Sequence, residues 1–487
     1  MTRVAGARRR PGLWFLVTLF LLGAAAIAFL DGSPRAEALV CTKSWAAAVS
    51  GDWDTAANWT GGTVPTGADD VCIDVAGTYT VTMTGGHAVH AISVGNATTG
   101  TQTLTVSGTS ALNTSLSIGA DSETTAHGAV VLTSTGGGYA QLQLATHTFT
   151  NAGSLQVLAG SGGNRFLDGG PLVNSGSIVV GDNLSSDGAL AVTNTGAITA
   201  NANWTINGSV AHNGGTLASP TGTVEVRGGY TQGNGATTGN PVLVTGSNLQ
   251  FTGAGAAGVR VVGGANLTGT VAAGQTLTVS GTGALNTTVT LQGNVVNHGT
   301  IVETSTGGGF ANIELNSFSL TSDGSVQVQA GAGGTRFLEG VGTFTNSGSM
   351  SIDSQLVSSG GTAVVNQGSL SLTAGWTVPG SFHSQSGSVA GTGAGQVTSS
   401  GTTTIGTGST SGTPVRVTGG ALSFAGNGTT SVLVIGGANL TGTIPVGASL
   451  TVSGTNAQNT TVSLQGNVVN NGTIVETSIG GASRTSS

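Results

Sequence analysis

Along most of this chain apolar residues alternate with Thr or Ser, as in Phe149-Thr150-Asn151-Ala152-Gly153-Ser154-Leu155-Gln156-Val157. Alternation of period two puts Leu155 and Val157 on one face of an extended strand. Beyond the N-terminus no long stretch carries apolar residues at i, i+3, i+4, i+7, so strands are expected almost throughout. Short N-x-G or similar turns punctuate them. Their third residues are Gly128, Gly153, Gly176, Gly196 and Gly215, and again Gly299, Gly324, Gly348, Gly368 and Gly387. The intervals are 25, 23, 20 and 19 residues, then 25, 24, 20 and 19. Asn and Gly are expected there for the tight or left-handed backbone a turn needs.

A longer period encloses the short one. LTVSGT begins at Leu104, Leu277 and Leu450, at equal spacings, and residues 277–306 and 450–479 match at 25 of 30 positions. GGANLTGT begins at Gly263 and Gly436, and RFL followed by an acid and Gly begins at Arg165 and Arg336. A unit of 19–25 residues cannot bury a core alone but fits one coil of a stacked solenoid. The expected fold is all-β: a right-handed parallel β-helix, the handedness resting on strand-crossover chirality. About 20 coils spaced roughly 4.8 Å apart are expected. Tandem β-sandwich domains are the alternative, which the short period disfavours. The expected divisions are a signal peptide at 1–38, a Trp-rich N-terminal cap at 39–95, long repeats at 96–268 and 269–441, and a partial repeat at 442–487 that reads as truncated.

Composition narrows the classes. Glycine supplies 86 of 487 residues, charged residues only 6% and hydrophobic residues 38%, which fits half-buried strands and not a charge-driven disordered chain. Arg8-Arg9-Arg10, the apolar run Leu13–Leu30 and Ala36-Glu37-Ala38 make a secretory signal; an uncleaved anchor is the other reading, and the only expected membrane contact. Downstream of residue 38 there are seven basic and seventeen acidic residues, a balance of −10, with no basic run. Nucleic acid is therefore excluded as a partner. Cys41 and Cys72 are expected to pair as a disulfide in an oxidising compartment. Trp45, Trp53 and Trp59 fall close together, and are expected to pack as a cap; a sugar-stacking platform is the functional alternative.

The stretch from Trp45 to Ile73 carries the pattern W, then GxWxxxxNW, then GxxPxxxxDVxI, on Trp45, Gly51, Trp53, Asn58, Trp59, Gly62, Pro65, Asp70, Val71 and Ile73. It resembles the start of bacterial secreted β-strand-repeat proteins with autotransporter-passenger-like or filamentous-haemagglutinin-like β-solenoids. The resemblance is carried by that stretch, and the remainder is similar only in its style of repeat. It implies a β-helix at the cell surface or in the medium, with an adhesive or structural role. Neither a C-terminal membrane barrel nor a wall-sorting tail is seen, so attachment in the manner of those groups is not implied.

A search for chemistry assigns no catalytic, cofactor-binding or metal-ligating residue. Acids are scattered: Glu303 recurs as Glu476 but is Leu132 in the first copy, and Asp168 and Glu339 each follow an arginine (Arg165, Arg336) by three positions, read as a coil-edge ion pair or surface ladder. Asp69, Asp70 and Asp74 cluster in sequence as a candidate Ca²⁺ set, with a solvated turn as the plainer reading. The calcium nonapeptide and the phosphate loop are absent. The expectation is a non-enzymatic adhesin, stalk or extracellular matrix component, extracellular or at the cell surface, with surface glycans or a neighbouring or host cell as partner. A carbohydrate-active β-helix enzyme is the alternative.

Overall fold

The computed structural model describes residues 39–96, 98–478 and 484–486. The expected signal segment, residues 1–38, lies outside them. Residues 41–487 make one unit. It is a β-solenoid of about 19 turns in which every inter-strand ladder among the described residues is parallel, with a 3₁₀ turn at Ala56–Asn58. Tandem antiparallel sandwiches are thereby set aside.

Each regular turn lays down three short strands, one per face. Gln102–Gly108, Thr114–Ile118 and Ser122–Thr124 define faces one, two and three. Each strand pairs with its counterpart one turn later: Leu104 with Val130, Leu116 with Leu142, Ser122 with Phe149. Alternation does what the sequence requires. Leu155 and Val157 point inward at 0% exposure, stacked between Val130 and Leu132 below and Ile178 and Val180 above. Every turn thus extends one apolar column, and no turn is stable without its neighbours.

The corner asparagines differ from their expected role. Asn151, Asn174 and Asn194 are fully buried and stacked on successive turns. Asn151 Nδ2 donates to Asn174 Oδ1 (2.7 Å), Asn174 Nδ2 donates to Asn194 Oδ1 (2.6 Å), and Asn194 Nδ2 donates to His212 Nδ1 (3.1 Å). In the second repeat Asn346 donates likewise to Asn366 (2.8 Å). In the first repeat the amides act as an internal polar ladder in which each turn satisfies the next, whereas Asn346 Oδ1 in the second is buried with no hydrogen-bond partner. Replacing Asn174 by alanine takes the donor from Asn194 Oδ1, and should cost about 1–3 kcal/mol; an unchanged urea midpoint would refute this ladder.

The following glycines are likewise needed for approach and not, in most turns, for left-handed backbone. Gly153, Gly176 and Gly196 have ordinary φ; Gly215 (+64°) and Gly387 (+70°), where the corner holds one extra residue, are left-handed. What they share is contact. A methyl group added at Gly153, Gly176 or Gly196 would sit 2.2 Å from the carbonyl oxygen of the glycine one turn below.

The long repeat is a screw operation. Between the repeats the chain replaces short strands by two long ones, Val242–Phe251 and Ala257–Val271. The first bends across two faces at Gly246 (φ +70°), the second at Gly263 (+82°) and Gly269 (+96°). Face one's nine-stranded sheet ends at Ala236–Gly239. Leu277 therefore does not stack above Leu104. It continues the face-two ladder Thr114–Ala140–Arg165–Leu184–Trp204–Val224–Val242–Val259. The second junction repeats the step: Leu450 follows Val432 and Val415 on the ladder of Trp376 and Thr287. One long repeat is thus eight turns plus one face, and LTVSGT visits all three faces in succession.

Candidate functional site

The residues singled out at the N-terminus lie inside it. Cys41 and Cys72 form a disulfide, Cα–Cα 5.7 Å. Trp45, Trp53 and Trp59 are 2%, 0% and 2% exposed. Trp59 meets Trp45 and Trp53 edge-on, centroids 5.0 and 4.7 Å apart, and donates from Nε1 to Trp53 O (2.7 Å). Rings packed this way offer no free face for a sugar to stack on. The cluster fills the first turns, whose strands Lys43–Ser44 and Asp70–Ile73 run straight into the face-three ladder. The later tryptophans, Trp204 and Trp376, are also internal, each donating to a serine one turn below (Ser186 and Ser358, both 3.0 Å).

The three aspartates do not converge. Asp69 accepts from Thr66 N and Oγ1 (both 2.8 Å), which holds its carboxyl below the usual range. Asp70 pairs with His90 at 2.7 Å, and Asp74 sits beside the disulfide sulfurs. The turn reading describes Asp69.

The expected Arg165–Asp168 edge pair is absent, because alternation sends them opposite ways. Arg165 points inward and is fully buried; Asp168 points outward. Arg165 instead reaches Asp182 (3.3 Å) and donates to Gly162 O, Gly163 O and Leu158 O. Asp168 accepts from Gln141 Nε2 (2.7 Å) and Asp187 N (2.8 Å), its carboxyl raised by burial. Arg336 is held by the matching carbonyls of Gly333, Gly334 and Gln329, but its anion has moved. Glu303, in the inward position that Leu132 fills in the first repeat, is buried at 2% and faces Arg336. Burial pushes the Glu303 carboxyl well up, and the Arg336 charge offsets part of that.

Two carboxylates do meet on the surface. Glu314 and Glu339 are register partners on adjacent turns; Glu339 is raised first by burial and then by Glu314. The first repeat has Gln143 in place of Glu314, paired with Asp168.

His212 is fully buried in the corner ladder. Its Nε2 donates to Ala236 O (3.0 Å), which leaves Nδ1 to accept from Asn194. Burial depresses its pKa. A depressed base contributes stability that is present above about 6.5, the unfolded value, and is lost as pH falls through the folded one. His212→Ser, which installs the residue found at Ser384 in the second repeat, should lessen the loss of melting temperature between pH 7 and pH 5. An identical slope would count against it.

The outer surface is concave over face three of the first repeat, along Thr193, Ala211, Thr231 and Gln250 (about 190 Å³), and at two corners where the long strands turn. One notch, of about 280 Å³, is lined by Gly246, Ser247, Gly263, Gly264, Asn266 and Thr288, with Ala265 and Thr290. Its copy in the next long repeat, of about 340 Å³, is lined by Gly419, Gly420, Gly437, Ala438, Asn439, Thr461 and Ser463. Glycine corners on successive turns leave the floor bare, and the hydroxyl pair of the next turn forms a wall. The corner is pinned identically in three places: Gly85, Gly263 and Gly436 N donate to Thr114, Thr287 and Thr460 Oγ1 (2.9, 3.0 and 2.9 Å). GGANLTGT marks this place in the sequence as a repeat. The sign of a notch was the doubled glycine inside an otherwise unbroken alternating run.

No family model, curated protein or solved structure matches this chain.

Proposed function

We propose that this chain is an exported, non-enzymatic β-solenoid that serves outside the cell as an adhesin, stalk or matrix component. The observation that carries the reading is the notch built twice from closely matching uncharged residues, differing at Ser247/Gly420 and Thr290/Ser463, since binding gains from repetition whereas a catalytic centre does not need it. The signal-like N-terminus and the Cys41–Cys72 disulfide favour an oxidising, extracytoplasmic location. The outward positions, rich in Ser and Thr, give broad neutral surfaces suited to weak, multiple contacts. Protease treatment of intact producing cells, together with attachment of those cells to glycan-coated beads, tests this. Expected are loss of the full-length chain on shaving and loss of attachment on deleting the gene. Protection from protease with unchanged attachment would overturn it.

A second reading has one observation behind it. The Glu314–Glu339 pair supplies two neighbouring acids, one of them with a raised carboxyl, which is one ingredient of glycoside hydrolysis. Release of reducing ends from a polysaccharide, abolished by Glu339→Gln, would favour it over the first.

A further inference from the structure

The geometry points to the two corner notches as subsites for a neutral, hydroxyl-rich chain, a polysaccharide without carboxylate or sulfate groups, set on different sides of the solenoid so that one molecule bridges two ligand strands. This inference rests on the adhesive reading and names its ligand class.

The lining argues for the class. Neither notch is lined by a charged side chain. Each offers two hydroxyls on its wall, Thr288 and Thr290 in one, Thr461 and Ser463 in the other. Each also offers an asparagine whose carbonyl oxygen is already engaged: Gln292 Nε2 donates to Asn266 Oδ1 (3.1 Å) and Gln465 Nε2 to Asn439 Oδ1 (3.4 Å). That orientation presents the amide N–H side as donor. In the first notch Asn266 Nδ2 also donates to Asn248 Oδ1 (3.2 Å). Ser247 Oγ, at the first notch, is buried with no hydrogen-bond partner, and Gly420 holds that place in the second notch, so the hydroxyl is not part of what the two notches share. Hydroxyls and amides without charge match the donors and acceptors of a neutral sugar. The acidic balance of the exported part disfavours polyanions. At about 280 and 340 Å³ the notches lie at the lower bound of small-molecule sites, enough for a sugar unit or two of a longer chain.

The screw of the repeat argues for bridging. The first notch lies at the corner from face two to face three, where Val242–Phe251 bends. The second lies between Val415–Val417 on face three and Ala421–Phe424, on the ladder that Val295–Asn297 begins anew on face one's side. Matching sites one face apart cannot both engage one straight strand. They can each hold a different strand, and avidity then comes from a network.

The test uses the full exported chain against soluble dextran, mannan and galactan, with alginate as the acidic comparison. Binding is read by affinity electrophoresis and bridging by turbidity. Gly264→Phe and Gly437→Phe fill the notches; at both positions an added Cβ meets nothing nearer than 3.4 Å and φ is ordinary, so the strands persist. Gly360→Phe, at a glycine with open space around it, is the control, and melting curves check folding. Expected is binding and turbidity with at least one neutral polysaccharide and none with alginate. Either single variant should keep binding, weakened about tenfold, and lose turbidity; the double variant should lose both, by about a hundredfold or more. A folded double variant that binds like the wild type would overturn the notch assignment and leave the adhesive reading standing. Turbidity retained in both single variants would overturn bridging. Binding to alginate alone, or to none of the four, would overturn the ligand class, while cell attachment to beads decides the adhesive reading separately.

Discussion

Gly176→Ala should unfold the middle of the first long repeat under conditions where the parent is native. The added methyl would lie 2.2 Å from Gly153 O and 2.6 Å from Ala152 C. Both obstacles are backbone, so no rotamer change relieves them. The turns must part, and the bonds that clamp them are the ones strained: Gly176 N to Asn151 O (2.9 Å), Ser177 N to Gly153 O (2.8 Å) and Ala197 N to Gly176 O (2.8 Å). Ordinary overpacking costs about 1–3 kcal/mol; an unrelieved backbone clash with loss of ladder bonds should exceed about 3 kcal/mol. Because each turn touches only its neighbours, the damage should be local at first. Limited proteolysis should therefore cut near residues 150–200 before the second repeat is touched. Gly360→Ala supplies the comparison, since nothing lies within 4 Å of its added methyl. Equal urea midpoints for the two variants would show that the glycine stack does not set the spacing of the turns.

The same contrast shows how far sequence reasoning reaches. Strand identity, facing and the solenoid itself follow from local alternation plus the short turn-to-turn period, because inward residues such as Leu155 and Val157 need only a period of two to declare themselves. Asn151 and Asn174 do not declare themselves. An asparagine before a glycine has the local signature of an exposed turn, and its partner here is an identical amide in the next turn, which no local pattern encodes. Arg165 and Asp168 are three apart, hence on opposite sides of a strand; applying the alternation strictly would have separated them. The advance by one face was hidden for another reason. The long period states when the sequence recurs, and how many strands a turn carries at Gly246 and Gly263 decides where. The notches were legible only as wording shared between repeats, since their concavity arises from missing side chains on two stacked turns.

Arg336→Met should cost about 3–5 kcal/mol near pH 7.5, the range for leaving a buried partner uncompensated. Three carbonyl oxygens, of Gly333, Gly334 and Gln329, lose their donor together, and Glu303 loses the cation it faces. The pH dependence separates these effects. Glu303 has a folded pKa raised by burial, so the stability it contributes is fully present below about 4.5, its unfolded value, and is lost as pH rises through the folded one. Removing the arginine raises the folded value further. The deficit of Arg336→Met should accordingly widen from pH 4 to pH 8, with only the carbonyl part left at the acid end. The first repeat supplies the rescue. There Leu132 stands in the position of Glu303, and the buried arginine takes its anion from Asp182 at 3.3 Å, the place that Ser354 fills in the second repeat, two positions before the partner of Arg336. Glu303→Leu with Ser354→Asp rebuilds that arrangement around Arg336. It should match or exceed the parent at pH 8 and flatten the profile, since exchanging a buried carboxylate for a packed apolar residue is commonly neutral or stabilising. A deficit in Arg336→Met that stays constant from pH 4 to pH 8 would mean that Glu303 is not held by this charge, and that the two repeats do not keep their arginines by alternative anions.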